Sequence, residues 1–180
     1  KVRSILVSHA HLDHVGAVQY LGPRYPNANV AGTPFTMEVL KSLLADNQSG
    51  IPNEITSVKP NGTFTIKGKE NYKVEFLNMT HSTIQSTIVA VHTKDGVVLY
   101  ANDYKLDNTP IMGDKPNYKR LKENLKILKK SKIENGKKLK IIKIPMPKPI
   151  YIDNIKVPAS YLNFYIANKI VLLPVFNDKN

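Results

Sequence analysis

The chain has 180 residues, 42% of them hydrophobic, no cysteine, and a formal net charge of +12. That length suffices for one ordinary domain or two small ones with a real core, and the missing cysteine excludes disulfides, thiolate nucleophiles and cysteine-based zinc sites. No uncharged apolar run approaches the roughly 18 residues of a membrane helix and no signal-peptide pattern stands at the front, so a soluble cytoplasmic protein with no membrane partner is expected.

The charge is unevenly placed. Residues 1–114 carry 10 basic and 10 acidic side chains, whereas residues 115–180 carry 16 and 4. A basic block of this kind can attract RNA, or can be no more than a lysine-rich solvated face. The opening on Lys1, directly into VRSILVS, reads as a fragment or a truncated reading frame.

In chain order, residues 2–7 are rich in Val, Ile and Leu and read as a buried strand. SHAHLDHVG follows as a loop, and VGAVQYLGPRYP as a short helix stopped by Gly22 and Pro23. NVAGT is a short strand. Thr33 and Pro34 read as the N-cap and first residue of a helix running to about Asp46. Phe35, Val39 and Leu43, with Met37, Leu40 and Leu44, form two adjoining stripes on it. From Glu54 the period becomes two: TFTIKG and YKVEFLNM are strands, and STIVAVHT–KDG–VVLYAND is a hairpin around Asp95-Gly96. Pro116 and Asn117 open a helix with Tyr118, Leu121, Leu125 and Leu128 at helical spacing. Beyond Ser131, ENGKK is a turn, LKIIKIPMPKPI a proline-interrupted strand, and SYLNFYIANKIVLLPVF a further hairpin. The mixture predicts an α/β (α+β) fold with a central mixed sheet.

The chemistry concentrates in His9-x-His11-x-Asp13-His14. Neutral imidazole nitrogen and carboxylate oxygen suit zinc and similar divalent ions. A loop can turn His9 and His11 to one ion while Asp13 and His14 face a second. Packing gains nothing from three imidazoles within six positions, so a purely structural cluster is the weaker reading. His92, in mid-strand, reads as an ordinary exposed or half-buried residue.

This motif, with its flanking strand and VGAVQYL, resembles the metallo-β-lactamase superfamily, and most closely its ribonuclease J and beta-CASP branch. GTPFTMEVLKSLL (32–44), MTHST (79–83) and VLYANDYKLDNTP (98–110) follow in the order of that branch, so the resemblance covers about residues 1–125. It implies a partial αββα sandwich and two zinc ions. His9, His11 and His81 would bind one ion, Asp13 and His14 the other, and Asp103 would bridge them. The aspartate at 103 and the absent cysteine fit the phosphodiesterase-like members rather than the dinuclear β-lactamases. In such a site, with ions about 3.5–4 Å apart, a bridging hydroxide attacks phosphorus. The resemblance then gives catalytic roles to Asp13, which accepts or orients the hydroxide's proton, to Asp103, and to His81. His81 and Ser82 lie where a scissile phosphate would be contacted, although Ser82 reads equally as a turn former.

Three departures from the family pattern stand out. The strands that precede the first motif are missing. So are the late histidine of the second metal and the inserted beta-CASP domain that grips RNA, since no histidine follows His92. Asn102 stands where relatives usually have glycine, and asparagine tolerates positive φ better than most residues. The first metal site is therefore expected to bind better than the second.

The last third points elsewhere. PMPKPIYID, PASYLNFYIAN and VLLPVFND resemble a segment of agmatine deiminase and the Porphyromonas-type peptidylarginine deiminases, over residues 132–180, which implies an appended β-rich, pentein-like segment. Asn154 and Asn168 stand where those relatives often have glycine. Deiminases attack a guanidinium carbon with a cysteine, and these 180 residues contain none. The expected organisation is a metal-binding domain over 1–125, a basic junction over 126–138, and the deiminase-like fragment over 139–180. A gene fusion, a frame or assembly artefact and a chimera all fit that arrangement. The functional expectation is an RNA-cleaving zinc hydrolase; the alternatives are a non-catalytic metal- or RNA-binding remnant and an inactive deiminase-like fragment.

Overall fold

The computed structural model describes residues 2–132 and 136–138 and the strand segments 150–152, 155–157, 165–167 and 170–172. The chain divides into two compact units, Lys1–Leu139 and Lys140–Asn180. No helix among the described residues is long and apolar enough to cross a membrane.

The first unit opens with a parallel sheet. β1 (Ser4–Val7) pairs with β2 (Asn29–Gly32), and β2 with β3 (Ile55–Ser57), in the order β1-β2-β3. Parallel neighbours need crossovers. Here these are α1 (Leu12–Val15) and α2 (Val18–Arg24) between the first two strands, and α3 (Pro34–Asp46) between the next two. Val7, Val15, Val18, Val30, Met37, Leu40 and Leu44 close a core between this sheet and its helices.

The second sheet is antiparallel, with β4 (Thr63–Ile66), β5 (Tyr72–Asn78), β6 (Thr87–Thr93) and β7 (Gly96–Tyr100) in sequence order. Side chains alternate between its two faces, and both faces are covered along β5 and β6, where burial is continuous over residues 74–78 and 87–90. Val74, Phe76 and Val89 meet Ala31 and Val58 with Leu6 packed against them, which joins the two sheets. Leu77, Ile88, Ala90 and Val97 form the opposite core, against which Leu121 of α4 (Tyr118–Lys130) packs. The layers are therefore helix, sheet, sheet, helix: the αββα arrangement, in partial form.

Glu75 lies under α4, its side chain 5% exposed. It receives Arg120 Nε at 2.8 Å and a second, parallel bond from Arg120 Nη2. Lys73 Nζ lies 2.9 Å and His92 Nε2 3.2 Å from the same carboxylate. The Arg120 bonds, with Lys73, hold the Glu75 carboxyl down at about 2, and Glu75 in turn pushes the Arg120 guanidinium up.

The expected central mixed sheet is instead two sheets, one parallel and one antiparallel, because the strands joined by helices pair parallel and those joined by short loops pair antiparallel. Four local features also differ from expectation. Leu12–Val15 is a helical turn rather than loop. Gly22 and Pro23 lie inside α2, which runs to Arg24. A Cβ at Gly22 would stand 2.5 Å from Asn53 Oδ1 and 2.9 Å from Ile51 Cγ2, so this glycine permits a close approach instead of stopping a helix. β3 had no counterpart in the sequence pattern. Thr33 holds the N-cap position of α3, but its hydroxyl bonds Thr36 Oγ1 at 2.8 Å and Gln85 O at 3.0 Å. The free N–H of Phe35 is capped by Gln85 Oε1 at 2.9 Å.

In the second unit, β8 (Ile150–Ile152) pairs antiparallel with β9 (Ile155–Val157), and β10 (Tyr165–Ala167) with β11 (Ile170–Leu172). The second pair is the hairpin expected in SYLNFYIANKIVLLPVF. Residues 139–149 of the proline-interrupted strand, and Asn154 and Asn168, lie outside the described residues.

Candidate metal centre

The site is built where β1 runs out. Both the N–H and the Oγ1 of Thr87 donate to Ser8 O at 2.9 Å, pinning the end of β1 to the start of β6. His11 then takes an extended conformation as N-cap of α1, and its carbonyl accepts the N–H groups of His14 and Val15 at 2.9 Å. That single turn carries Asp13 and His14 back beside His9. His81 arrives from the end of β5 and Asp103 from the end of β7. Thr80 ties those two loops together: its carbonyl accepts the Lys105 N–H at 2.6 Å, and its hydroxyl donates to Lys105 O at 2.6 Å. The same hydroxyl accepts the Asp107 N–H at 3.1 Å.

The four imidazoles cluster. His9 is 4.1 Å from His14 by ring centroids, 4.9 Å from His11 and 5.0 Å from His81, and His11 is 4.7 Å from His81. His11 Nδ1 and His81 Nε2 are 3.1 Å apart. Asp103 Oδ2 lies 3.3 Å from His14 Nε2 and 4.0 Å from His81 Nε2, and Asp13 Oδ2 lies 3.3 Å from His14 Nε2.

Two ligand groups result, each with donor atoms within 4.8 Å of one another: His9, His11, His81 and Asp103, and Asp13, His14 and Asp103. Asp103 belongs to both. Every residue that the sequence reading assigned to the metals is thus brought together here, and His92 takes part in neither group. Ser82 Oγ stands 3.4 Å from His11 Nε2, beside the cluster.

The donors fit a divalent cation. Burial, then the neighbouring His14, His81 and His11, lowers His9 to about 4. Burial and His11 also lower His81. Both rings are therefore neutral near pH 7, the form that binds a cation. His9 is 1% exposed and its Nε2 is buried with no hydrogen-bond partner among the described residues. Such an orphan costs about 1–3 kcal/mol, which a cation at that nitrogen would offset. A cleft of about 360 Å³ opens beside the cluster, bounded by Thr80, His81, Ser82, Gln85, Asp107 and Met112 among others.

Sequence reasoning passed over Ser8 and Thr80. Ser8 Oγ contacts His9 Nδ1 at 3.0 Å, and Thr80 fixes the Asp103 loop. Asn102 was noted for its backbone alone, yet its side chain contacts Ser8 Oγ at 3.0 Å and His14 Nδ1 at 2.8 Å. No spacing rule singles these out; only the fold brings them beside the histidines.

Comparisons with known proteins place the chain in two families. Residues 1–113 match the model of the beta-lactamase superfamily domain, and residues 77–180 that of the Porphyromonas-type peptidyl-arginine deiminase. Residues 77–113, which include His81 and Asp103, fall in both matches. Among curated proteins, the chain is 44% identical to a ribonuclease J of Pyrococcus abyssi over 124 residues, which is 68% of this chain and 27% of that protein. It is 38% identical to one of Methanocaldococcus jannaschii over the same shares. For a ribonuclease J of Synechocystis the identity is 32% over 114 residues, covering 63% of this chain and 18% of that protein. The chain thus spans about a quarter or less of these relatives' length.

Proposed function

The chain belongs to two families, the beta-lactamase superfamily over residues 1–113 and the Porphyromonas-type peptidyl-arginine deiminase family over residues 77–180, and we propose that the first supplies its activity, the metal-dependent hydrolysis of RNA phosphodiester bonds. The observation that carries this reading is the convergence of His9, His11, His81 and Asp103, and of Asp13, His14 and Asp103, on two adjacent groups with one shared carboxylate. The ribonuclease J relatives support RNA as the substrate class.

In this reading His9, His11, His81 and Asp103 would hold one zinc ion, and Asp13, His14 and Asp103 would hold a second. When bound, the ions supply Lewis acidity that lowers the pKa of a water and neutralises charge developing on phosphorus. Asp13, its side chain 77% exposed and 3.3 Å from His14 Nε2, holds or orients the proton taken from the attacking water. His81 and Ser82 face the cleft, where they position the scissile phosphate. The neutral state of His9 and His81 keeps positive charge from competing with the cation. Residues 1–125 form the working domain, 126–138 a basic junction, and 139–180 the appended deiminase-like fragment, whose family's cysteine chemistry these residues cannot perform.

One observation favours a second reading. Asp13, His14 and Asp103 give three donors, and both carboxylates are exposed, so the second ion binds more weakly. If it does not bind, the protein is a metal-binding remnant whose basic block governs RNA affinity. The test uses a labelled single-stranded RNA with zinc-loaded protein, chelator-treated protein and an Asp103→Ala variant. The hydrolase reading requires cleavage by the loaded protein alone. A gel shift without cleavage, independent of metal and steeply weakened by salt, overturns it in favour of the second reading.

A further inference from the structure

Asn102 precedes the shared carboxylate, at a position that the sequence suggested was kept for a positive φ. The backbone does not use it so: among the described residues, the non-glycine positions with positive φ are Gln48, Asn61 and Gln85. What Asn102 contributes is its side chain. One terminal atom of the carboxamide lies 2.8 Å from His14 Nδ1 and 3.0 Å from Ser8 Oγ. Ser8 Oγ lies in turn 3.0 Å from His9 Nδ1. A single amide end therefore reaches one histidine of each ligand group, directly for His14 and through one hydroxyl for His9.

With one hydrogen on each ring, this short chain has two self-consistent hydrogen patterns, because a half-turn of the carboxamide exchanges its oxygen and nitrogen at nearly the same positions. With Nδ2 facing the cluster, it donates to His14 Nδ1 and to Ser8 Oγ, and the Ser8 hydroxyl donates to His9 Nδ1. Both rings then carry that hydrogen on Nε2. That of His14 is taken by the Asp13 and Asp103 carboxylates, each 3.3 Å away. That of His9 meets no acceptor, since its Nε2 is buried without a partner among the described residues. With Oδ1 facing the cluster, it accepts from His14 Nδ1–H and from the Ser8 hydroxyl, which accepts from His9 Nδ1–H. Both rings then offer a bare Nε2. A cation can be bound at both Nε2 atoms only in this second pattern.

We propose that Asn102 is a positioning residue for the metal centre: its carboxamide sets the tautomer of His14 directly and of His9 through Ser8, and turns over when metal is bound. The inference rests on the metal-centre reading above. It couples the two ligand groups through their outer contacts as well as through Asp103. Partners of this kind fix ring orientation and raise ligand basicity, and losing one typically costs about 10–100-fold in metal affinity.

The test combines zinc affinity by chelator competition with ring-nitrogen NMR shifts of 15N-histidine-labelled protein, with and without zinc. In the parent protein, His14 should move from a hydrogen on Nε2 to a hydrogen on Nδ1 upon loading. Asn102→Ala should weaken zinc binding by about 10–100-fold and remove the fixed tautomer of His14. Asn102→Asp keeps the accepting oxygens and loses the donor. It should bind zinc at least as well as the parent and hold His14 with hydrogen on Nδ1 even without metal. Unchanged affinity and unchanged shifts in Asn102→Ala would overturn the role of Asn102 and leave the metal centre standing. A parent protein whose histidine shifts do not respond to zinc would overturn the metal centre and this inference together. Because the shifts are read on each variant, a loss of affinity through misfolding is told apart by the collapse of every histidine signal, and Asn102→Asp then decides alone.

Discussion

Glu75→Gln probes how α4 is held to the second sheet, and the structure gives its magnitude. The carboxylate is almost fully buried and bonded in parallel by Arg120, and its pKa falls from 4.5 to about 2. A shift of that size corresponds to about 3 kcal/mol of stability. The sign follows from proton counting. Below 4.5 the unfolded chain binds a proton that the folded chain refuses, so the contribution is complete above that pH and fades as pH falls through 4.5 towards 2. At pH 3 about 1 kcal/mol should remain. A glutamine amide cannot carry the charge, so the variant should lose about 3 kcal/mol at pH 7, within the range for breaking a buried ion pair, and its deficit should shrink by pH 3. Urea unfolding of both proteins at pH 7 and pH 3, with equal m values, measures this. A deficit below about 0.5 kcal/mol at pH 7, the size of an ordinary surface change, or one that is the same at both pH values, would refute the argument.

Two further perturbations separate site from scaffold. His11→Ala removes one of four donors around the first ion; sharing a zinc-site free energy of about 10–16 kcal/mol among four ligands gives roughly a 100-fold or larger loss of zinc affinity. His92→Ala, whose ring faces Glu75, should leave zinc affinity unchanged, so equal losses in the two variants would sink the ligand assignment. Gly22→Ala should destabilise by about 1–3 kcal/mol in urea, because the new methyl displaces Asn53, whose Nδ2 holds Tyr25 O and Ala28 O at 2.8 Å; a stabilised variant would mean that helix propensity outweighs the crowding.

Much of the layering was legible from period alone. The run at residues 2–7 and the hairpin around Asp95-Gly96 each carry a repeat that packing demands. The α4 stripe was only partly informative: Leu121 packs against the second sheet, but Leu125 is exposed and the buried residue of that helix is Asn124. The histidine motif was legible for a different reason: its residue types have no packing use at that density. What stayed hidden lacks either signal. α1 is four residues long, too short to show a period, and is built partly from poor helix formers. β3 is three residues long. Gly22 looked like a stop because a glycine's need for space depends on Ile51 and Asn53, which lie far along the chain. The cap on α3 comes from Gln85, 50 residues from its partner Phe35. The link from Asn102 to Ser8 crosses 94 residues. Polar contacts of this length leave no spacing to read, and only the shared core of the two sheets places them together.

If two ligand groups meet at Asp103, the protein should hold two ions. Zinc per chain decides this, measured by elemental analysis of purified protein after chelator washing, zinc reloading and removal of free metal. About two ions per chain are expected, filled in two steps of unequal affinity, with Asp103→Ala falling to one or fewer. A value that saturates at one would contradict the two-ion hydrolase, and a value near zero would contradict the metal centre itself.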